Sequence, residues 1–439
     1  MTGIDASHEP VDIAIVGGGL VGTALACALA PLGWRITLVE ASPAPAPGGQ
    51  GDEAPDADNL PPDPRCFALA DASCRILQGL GAWPELASHA SPIRDILVTE
   101  LGRPGRVHLD PAELGMAAFG QVVPAPALGR ALAARLETLD GVTVIRPARV
   151  TGTRQTGEGV VLDIEGEKTP ARLEASLVVA ADGADSPLRE ALDVPVRRRD
   201  YGQVAIVCHV TPEHAHGGRA FERMTDTGPF AMLPLPGGRV GLVWCVETPD
   251  AQALMDAPDD DFLERATRRS GGVLGQFSEA GVRRCWPLSL AVAGQDVVGR
   301  VIFMGNAAHT IHPAGAQGFN LGLRDVAALA EVLSGNPALD RGATAREPGE
   351  WLDAGAAWRL EAYARARRAD REATVALTDG LVGLFSSRLG PVRALRSAGL
   401  LAHAMAPPLR RRLVSAAMGY RAPVPALALG QRLEPVRAT

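Results

Sequence analysis

Residues 11–40 read VDIAIVGGGLVGTALACALAPLGWRITLVE and decide the fold. The first six are apolar or β-branched apart from one aspartate, and they predict a short buried strand. A helix over residues 20–32 and a second strand over residues 35–40 are predicted to follow. Strand, glycine turn, helix and strand in this order begin a parallel sheet of the dinucleotide-binding type.

Three glycines of the turn have separate tasks in such a unit. Gly17 makes the tight turn, Gly19 lets backbone N–H groups reach a pyrophosphate, and Gly22 lets the helix pack closely on the strand. Glu40 ends the second strand, where its carboxylate can accept hydrogen bonds from a ribose hydroxyl. The pattern predicts a dinucleotide site and leaves open whether the dinucleotide is FAD or NAD.

A second stretch, GNAAHTIHPAGAQGFNLGLRD at residues 305–325, follows an apolar strand at 301–304. A helix is predicted to begin near Phe319 and to continue to Leu333. Its free N–H groups and partial positive charge suit an electron-rich ring edge, such as the pyrimidine end of a reduced flavin. The alternative is a Gly/Pro-rich connection of the kind that is common in α/β proteins. Three glycines would let the backbone approach a large flat ligand: Gly315, Gly318 and Gly322.

Composition and charge exclude several classes of protein. The 439 residues are 46% hydrophobic and 21% charged, as in a globular chain, and a net charge of −7 argues against a nucleic-acid binder. Six cysteines without a C-x-x-C pair predict neither a redox dithiol nor a secreted disulfide framework. The polar start lacks an apolar signal core, and no apolar run reaches about eighteen residues. These features predict a cytoplasmic protein.

The middle of the chain predicts a strand end with an acidic residue and then a second sheet. Residues 177–181 predict a buried strand that ends at Asp182 and Gly183. Asp182 belongs either to a capped turn or to the carboxyl edge of the sheet, where open α/β sheets bind ligands. Between Tyr201 and Leu290, alternating strands with one helix over 250–270 predict an antiparallel sheet that covers a substrate.

Three motifs together resemble the flavin-dependent aromatic hydroxylases of the 4-hydroxybenzoate hydroxylase fold. They are GGGLVG with Glu40, ADGADSPLR at residues 181–189, and the stretch at residues 305–325. The likeness covers nearly the whole chain and is closest to the ubiquinone-pathway branch, especially the 2-polyprenyl-6-methoxyphenol hydroxylases. The combination of motifs is specific, whereas each motif alone is not. The resemblance implies FAD as the cofactor and NAD(P)H as the reductant.

The resulting fold class is α/β, with a Rossmann-like FAD-binding domain, an inserted antiparallel β-sheet substrate domain and C-terminal helices. The predicted division assigns 1–92, 125–195 and 296–345 to three parts of the FAD-binding domain, 93–124 and 196–295 to the substrate domain, and 346–439 to the C-terminal helical region.

The resemblance implies a set of cofactor contacts. Arg65 is placed near the flavin by the resemblance, but its position after a Pro/Gly-rich loop is explained equally well by a solvated surface. The implied contacts are Gly17, Gly19, Gly22 and Glu40 for the ADP half of FAD, Asp182 and Gly183 beside the pyrophosphate and the NAD(P)H approach, Gly305 and Asn306 at the ribityl-phosphate chain, and Gln317, Gly318, Phe319 and Asn320 at the isoalloxazine ring.

Two positions depart from the family pattern. Much of the fold family has Asp where Asn306 stands, although the 2-polyprenyl-6-methoxyphenol branch also has Asn. Relatives often carry Arg or Gln where this chain has Ala125-Pro126-Ala127, so that cofactor contact is not assigned here.

In the hydroxylases that the chain resembles, NAD(P)H reduces the flavin, O2 adds to form C4a-hydroperoxyflavin, and the distal oxygen passes to an electron-rich ring. His312, in the loop over the flavin, is the candidate catalytic residue because it can assist deprotonation of a phenol. The alternative is a loop histidine that is bonded to the backbone. His309 and His312 have no evident third ligand, so no metal site is predicted.

The functional hypothesis is an FAD-dependent monooxygenase that hydroxylates 2-polyprenyl-6-methoxyphenol with NAD(P)H and O2 in ubiquinone biosynthesis. One alternative is a flavin-dependent oxidoreductase of a lipid-like substrate that inserts no oxygen. Another is a non-catalytic flavin-bound component of the ubiquinone complex.

The C-terminal region, from Trp351 onward, predicts helices with a basic amphipathic surface. Either these helices cap the FAD-binding domain, or they dock on the inner-membrane face or on a ubiquinone-biosynthesis complex, and both interpretations can hold together. The surface comprises Leu381, Leu384, Phe385, Arg393, Leu395, Arg396, Leu400, Leu401 and Arg410 to Arg412.

Overall fold

The computed structural model describes residues 10–43, 63–103, 106–167, 169–335, 352–386 and 407–436. Most of the Pro/Gly-rich loop that precedes Arg65, residues 41–64, lies outside these residues. The same holds for part of the predicted basic amphipathic surface, namely Arg393, Leu395, Arg396, Leu400 and Leu401.

The strands of the described residues form three sheets. In chain order they are β1 (Val11–Val16), β2 (Ile36–Val39), β3 (Cys66–Ala70), β4 (Ser91–Pro92), β5 (Asp95–Glu100), β6 (Arg106–Leu109), β7 (Gly120–Pro124), β8 (Val142–Ile145), β9 (Ala148–Gln155), β10 (Val160–Gly166), β11 (Arg172–Ala180), β12 (Val196–Pro212), β13 (Arg219–Thr225), β14 (Gly228–Pro234), β15 (Val240–Glu247), β16 (Phe277–Ala280), β17 (Arg284–Ala293), β18 (Val297–Val298), β19 (Val301–Phe303) and β20 (His309–Thr310).

The α-helices lie between and after these strands. They are α1 (Leu20–Leu29), α2 (Asp71–Gly79), α3 (Trp83–Leu86), α4 (Ala125–Glu137), α5 (Pro187–Ala191), α6 (Thr248–Met255), α7 (Asp259–Ser270), α8 (Gln317–Val332), α9 (Ala357–Ser386) and α10 (Pro407–Ala417).

The first sheet has the order β18-β19-β11-β1-β2-β8, with β9 and β10 continuing from β11 as an antiparallel meander. β1 lies between β11 and β2 and is parallel to both. Ile13 and Ile15 pack in the core that includes α1 and α8, whereas Ala14 and Val16 pack on the opposite face. Because successive residues of a strand point to opposite faces, a strand covered on both sides must be apolar throughout, as β1 nearly is.

The second sheet has the order β20-β17-β12-β15-β14-β13-β5-β6 and is called the substrate sheet below. Its outer face packs against α6 and α7 through Phe230, Trp244 and Phe262. Its other face, called the inner face below, carries Gln203, whose side chain contacts His312 of the 305–325 stretch. Strand β20 of the same stretch joins this sheet by pairing with β17. A third, small sheet has the order β3-β7-β4.

The predicted α/β fold class with a second antiparallel sheet is confirmed, and three element predictions are corrected. The single helix predicted over 250–270 is two helices, α6 and α7, because Pro258 interrupts the hydrogen-bond ladder between them. The strand predicted at 177–181 begins earlier and forms one strand, β11, in which residues 172–175 pair with β10 and residues 175–180 pair with β1. Helix α8 begins at Gln317 rather than near Phe319.

Helix α9 connects the two sheets. It packs against α8, against the turn at Ala314–Ala316, and against β13 and β14. Leu381 and Leu384 of the predicted amphipathic surface are half-buried in this helix, while Arg411 and Arg412 in α10 are exposed. Within the described ranges, no helix is both long and apolar enough to cross a membrane.

Candidate active site

The glycine turn after β1 brings the backbone into close contact on two sides. Gly17 has φ +105°, and a Cβ there would lie 2.3 Å from the carbonyl oxygen of Ala181 at the end of β11. A Cβ on Gly22 would lie 1.9 Å from the Gly17 carbonyl oxygen. A Cβ on Gly19 would instead meet no protein atom within 4 Å. Gly17 and Gly22 are therefore required by packing, whereas Gly19 borders open space at the start of α1.

Glu40 closes this turn from the second strand. Its Oε2 accepts a hydrogen bond from the Gly18 amide at 2.5 Å, and its Oε1 accepts one from the Ser42 amide at 2.7 Å. Burial raises the pKa of Glu40, but the Ser42 and Gly18 amides outweigh burial and hold this pKa below its ordinary value. Glu40 is thus an anion at neutral pH, able to accept further hydrogen bonds from a ligand hydroxyl.

Asp182 lies at the carboxyl end of β11, next to the glycine turn. Its Oδ2 accepts a long hydrogen bond from the Leu188 amide at 3.4 Å, while its buried Oδ1 has no hydrogen-bond partner within the described part of the chain. Burial raises the pKa of Asp182. Gly183 beside it borders open space. A buried acceptor without a partner at the ligand-binding edge of a parallel sheet indicates a site for a ligand donor.

Arg189 joins the second and third motifs and had no role assigned from the sequence. Its side chain is buried and donates from Nη1 to the Ala307 carbonyl at 2.7 Å and from Nη2 to the Ala184 carbonyl at 2.6 Å. The turn after β11 and the turn after β19 are therefore held side by side. Asn306 lies in the second turn with an exposed side chain, and Gly305 next to it is buried against Val21.

The start of α8 is tied to its surroundings by two side-chain amides. Gln317 donates from Nε2 to the Gly315 carbonyl at 3.1 Å and to the Ala417 carbonyl at 3.2 Å. Asn320 donates from Nδ2 to the carbonyls of Ala68 and Ala316 and accepts from the Ala70 amide at 2.9 Å. Both N–H groups and the oxygen of the Asn320 amide thus bond backbone, which leaves one further acceptor position on the oxygen.

Phe319 and Gly318 form the exposed side of the same helix start. The Phe319 ring lies 4.9 Å from the Phe67 ring of β3, centroid to centroid, and is partly buried. A Cβ on Gly318 would have one neighbour within 4 Å, the Ile311 side chain at 3.8 Å. The backbone of Gly318 is therefore open to a flat ligand.

Arg65 uses its guanidinium within the protein. It forms a two-point ion pair with Asp63, with Nη2 2.6 Å from Oδ2 and Nε 2.9 Å from Oδ1, and it lies 5.5 Å over the Trp286 ring. The side chain is half-exposed. Its main-chain carbonyl accepts from the Ala125 amide at 2.8 Å, at the first residue of α4, where the family's Arg or Gln is absent.

His312 is completely buried and both of its ring nitrogens are engaged. Nδ1 accepts from the Ala314 amide at 3.1 Å, so Nε2 carries the proton and donates to Gln203 Oε1 at 3.3 Å. The Tyr201 ring packs edge-on at 5.1 Å. Burial lowers the pKa of His312 to about 4, although Asp379 acts in the opposite direction. These contacts agree with the second of the two interpretations of His312, a loop histidine that is bonded to the backbone, rather than with a catalytic residue.

The neutral state of His312 gives a pH-dependent contribution to stability. Between its pKa of about 4 in the folded chain and the ordinary 6.5, the unfolded chain binds a proton that the folded chain does not. Stability therefore falls as the pH drops through this window, by about 3 kcal/mol for this residue. We expect His312→Gln to flatten the fall in unfolding free energy measured by urea titration between pH 6.5 and 4. Replacing the exposed His214 by Gln should leave the slope unchanged, and an equal effect of both substitutions would contradict the assignment.

His309 belongs to a separate, ionic cluster. Its Nε2 lies 2.7 Å from Asp325 Oδ2, and Asp325 Oδ1 accepts from Arg367 Nε at 2.7 Å. Asp370 Oδ2 accepts from Arg367 Nη1 at 2.9 Å and from Arg324 Nε at 2.7 Å. All five side chains are almost fully buried. The two histidines of the loop thus serve different neighbours, and the ionic cluster joins β20, α8 and α9.

The site as a whole fits FAD. Its features are the partnerless Asp182 oxygen, the anionic Glu40 and the open backbone at Gly19, Gly183 and Gly318. They lie at the carboxyl edge of the parallel sheet, where an adenine dinucleotide binds in such folds.

Comparison with known proteins agrees with this geometry. The family model described as an FAD binding domain matches residues 10–341. The chain is 38% identical to ubiquinone hydroxylase UbiL of Rhodospirillum rubrum, over 94% of this chain and 91% of that protein. It is 31% identical to 3-demethoxyubiquinol 3-hydroxylase of Escherichia coli, over 94% of this chain and 100% of that protein. The chain belongs to the FAD-dependent hydroxylase family of ubiquinone biosynthesis.

The fold of this hydroxylase is also found in solved structures. The crystal structure of p-nitrophenol 4-monooxygenase PnpA from Pseudomonas putida superposes with a TM-score of 0.71 at 18% identity, covering 94% of this chain and 100% of that one. The predicted resemblance, the monooxygenase class, FAD as cofactor and NAD(P)H as reductant are confirmed.

Proposed function

We propose that this hydroxylase adds one oxygen atom to the ring of 2-polyprenyl-6-methoxyphenol. The observation that carries the proposal is the apolar inner face of the substrate sheet, opposite the 305–325 loop. Gln203 on this face accepts a hydrogen bond from His312 of the loop, so the face and the loop adjoin, and we place the substrate cleft between them. An apolar wall suits a prenylated ring, because about 0.8 kcal/mol is gained for each CH2 group removed from water. The wall consists of Ala205, Val207, Ala231, Val243 and Leu288.

The cofactor residues have distinct tasks in this proposal. Gly17, Gly19, Gly22 and Glu40 hold the ADP half of FAD, Asp182 and Gly183 the pyrophosphate region, Gly305 and Asn306 the ribityl chain, and Gln317 to Asn320 the ring. Bound FAD supplies the activation of O2 with electrons from NAD(P)H. The start of α8 offers positive charge to the ring edge, and the apolar wall excludes water from the cleft. We assign Arg65 to the rim of the cleft, beside Trp286, rather than to the ring.

The experiment is a mass measurement with two ring types in parallel. FAD-loaded protein receives NAD(P)H and isotopically labelled O2, with 2-prenyl-6-methoxyphenol in one sample and a 3-demethoxyubiquinol analogue in the other. We expect the methoxyphenol to gain one labelled oxygen atom. If only the 3-demethoxyubiquinol analogue gains the labelled oxygen atom, the proposed substrate is wrong but the monooxygenase activity stands. Reductant consumption with an oxidised but unlabelled product would favour the oxidoreductase alternative, and bound flavin without turnover would favour the non-catalytic component.

We further infer that the hydroxylase is cytoplasmic and works at the inner-membrane surface or within a ubiquinone-biosynthesis complex, because a polyprenyl chain partitions into lipid. The exposed Arg411 and Arg412 of α10 support this inference. The test is flotation of the purified chain with anionic and neutral vesicles. If the chain binds neither the anionic nor the neutral vesicles, the ubiquinone-biosynthesis complex remains as the docking site. Co-purification would then test that interaction.

A further inference from the structure

Glu222 is a carboxylate in the middle of the apolar inner face. On β13, Phe221 packs in the core under α6 and α7, and Arg223 donates to the Ser270 carbonyl of α7. Because neighbouring strand residues point to opposite faces, Glu222 between them points to the inner face. Its register partners are Ala231 on β14 and Val98 on β5. The carboxylate is therefore flanked by small apolar residues.

No side chain among the described residues pairs with Glu222 in a way that would explain a carboxylate there. Across the described residues it forms no hydrogen bond and no ion pair, and part of the side chain remains accessible. Burial, the single cause, raises its pKa to about 7. A carboxylate that is enclosed by protein, keeps accessible surface and has no partner is typical of a group that lines a ligand cleft.

The neighbours of Glu222 lead to the flavin-binding loop. Its charge acts on the buried Cys245 thiol, whose pKa is raised by burial and by this carboxylate. A Cβ on Gly228 would lie 2.8 Å from Cys245 Cβ and 3.4 Å from Gln203 Oε1. Gln203 in turn accepts the hydrogen bond from His312 of the loop. Helix α9 packs on both β13 and the turn at Ala314–Ala316. Glu222 and the loop therefore border the same cleft.

Three other titratable groups of this face and of the loop are less suited than Glu222 to accept a proton. His312 has both nitrogens engaged, and Tyr201 donates its hydroxyl to Asp379 at 2.9 Å. Burial lowers the pKa of His209 to about 4. The titratable groups on this face and on the elements packed against it include Glu100, Tyr201, His209, Cys245, Glu247, His312 and Asp379, and Cys66 beside Gly241.

We propose that Glu222 is the general base that accepts the proton of the substrate's phenol hydroxyl. The inference rests on the proposed function. The proton passes from the phenol oxygen to a carboxylate oxygen of Glu222, and the electron pair of the O–H bond stays on the phenol oxygen. The products of the step are a phenolate and a neutral carboxylic acid, so no oxidant or reductant is needed. The phenolate is the more electron-rich ring and accepts oxygen more readily.

The first test measures turnover against pH in Glu222→Gln. In the wild type, kcat/KM for product should rise with pH through about 7 and then level, because Glu222 must be ionised to accept a proton. In Glu222→Gln, kcat/KM should be about 100-fold lower at pH 8 and should no longer rise with pH through about 7. At saturating concentration, a ring-fluorinated phenol that is already ionised at the assay pH should be hydroxylated with the same kcat by both proteins. An equal defect with both phenols would indicate a structural role and overturn the proposal.

The second test needs no turnover. Binding to the oxidised, FAD-loaded protein is followed by flavin fluorescence from pH 6 to 8 without NAD(P)H. A neutral phenol should bind roughly tenfold more tightly at pH 8, because the ionised Glu222 accepts its hydrogen bond. The fluorinated phenolate should instead bind less tightly at pH 8 than at pH 6. In Glu222→Gln, the affinity for both phenols should not change with pH. Unchanged slopes in Glu222→Gln would overturn the proposal. The wild type could show the expected pH dependence of binding and still form no product. That result would reject the proposed function and keep Glu222 as the phenol-binding carboxylate.

The control is Glu174→Gln, which makes the same chemical change at an exposed position of β11. It should leave both pH profiles as in the wild type. Glu222→Gln should fold, since the substitution removes a charge without a protein partner, and its melting temperature at pH 8 should be no lower than that of the wild type.

Discussion

Replacing Gly19 by alanine is expected to weaken FAD binding about 100-fold or more while the apoprotein stays as stable as the wild type. Gly19 has φ −69° and ψ −176°, a conformation that any residue adopts, and its Cβ position borders open space. That space lies where backbone N–H groups meet a pyrophosphate. The added methyl group would therefore clash with the cofactor and not with the protein. We expect the Kd for FAD, measured by flavin fluorescence, to rise about 100-fold or more, which corresponds to about 2.7 kcal/mol.

Gly22→Ala provides the contrast for this prediction. Its Cβ would overlap the Gly17 carbonyl oxygen, so the clash lies within the protein. The apoprotein should then unfold at a clearly lower temperature by circular dichroism, whether or not FAD is added. A yellow Gly19→Ala protein with a full complement of FAD would show that the cofactor does not pass over this turn.

Replacing Arg367 by methionine is expected to destabilise the chain by about 3–5 kcal/mol. Arg367 in α9 pairs with Asp325 and Asp370, and all three side chains are almost fully buried. Burial alone would raise the pKa of Asp325, but Arg367 and His309 lower it below its ordinary value. Removal of the guanidinium leaves these carboxylates without compensation in the interior. Urea denaturation at pH 7 measures the difference in unfolding free energy.

Arg365→Met is the matched control on the same helix. Arg365 is exposed and lies 3.9 Å from Glu361, one turn earlier. An exposed pair of this kind contributes little, so the change in unfolding free energy should stay within about 0.5 kcal/mol. Similar losses in the two variants would mean that the cluster is open to water. Because the cluster includes His309 of the flavin loop, Arg367→Met should also weaken FAD binding, which the same fluorescence titration would detect.

Much of the cofactor half of the site was predictable from local sequence. The turn at Gly17, the strand end at Glu40 and the capped turn at Asp182 each depend on residues close in the chain, and their geometry follows from steric rules that act locally. Helix ends follow less directly from local sequence. The pattern over 250–270 predicts one helix, whereas Pro258 divides it into two, and α8 begins two residues before Phe319.

The roles of buried polar side chains were not predictable in the same way. The loop position makes His312 the candidate catalyst, yet Gln203, 109 residues away, accepts a hydrogen bond from its Nε2–H group. Asn320 was assigned to the flavin ring, yet its amide holds the backbone of β3, 250 residues away. Each role depends on which backbone or side-chain group from a distant part of the chain lies within hydrogen-bond distance. Sequence spacing does not predict these contacts.

The sequence by itself determined the nucleotide unit, the second antiparallel sheet and the family, because strand alternation, glycine turns and motif order are properties of neighbouring residues. The tertiary structure alone decided which groups meet in the cleft. It buried His312 and Asn320 in structural hydrogen bonds and assembled the ionic cluster from β20, α8 and α9. It also placed Glu222 on the inner face, where no described residue forms a hydrogen bond or ion pair with it. The physical reason is that burial and pairing set the charge state of a side chain, and both arise from residues far apart in the chain.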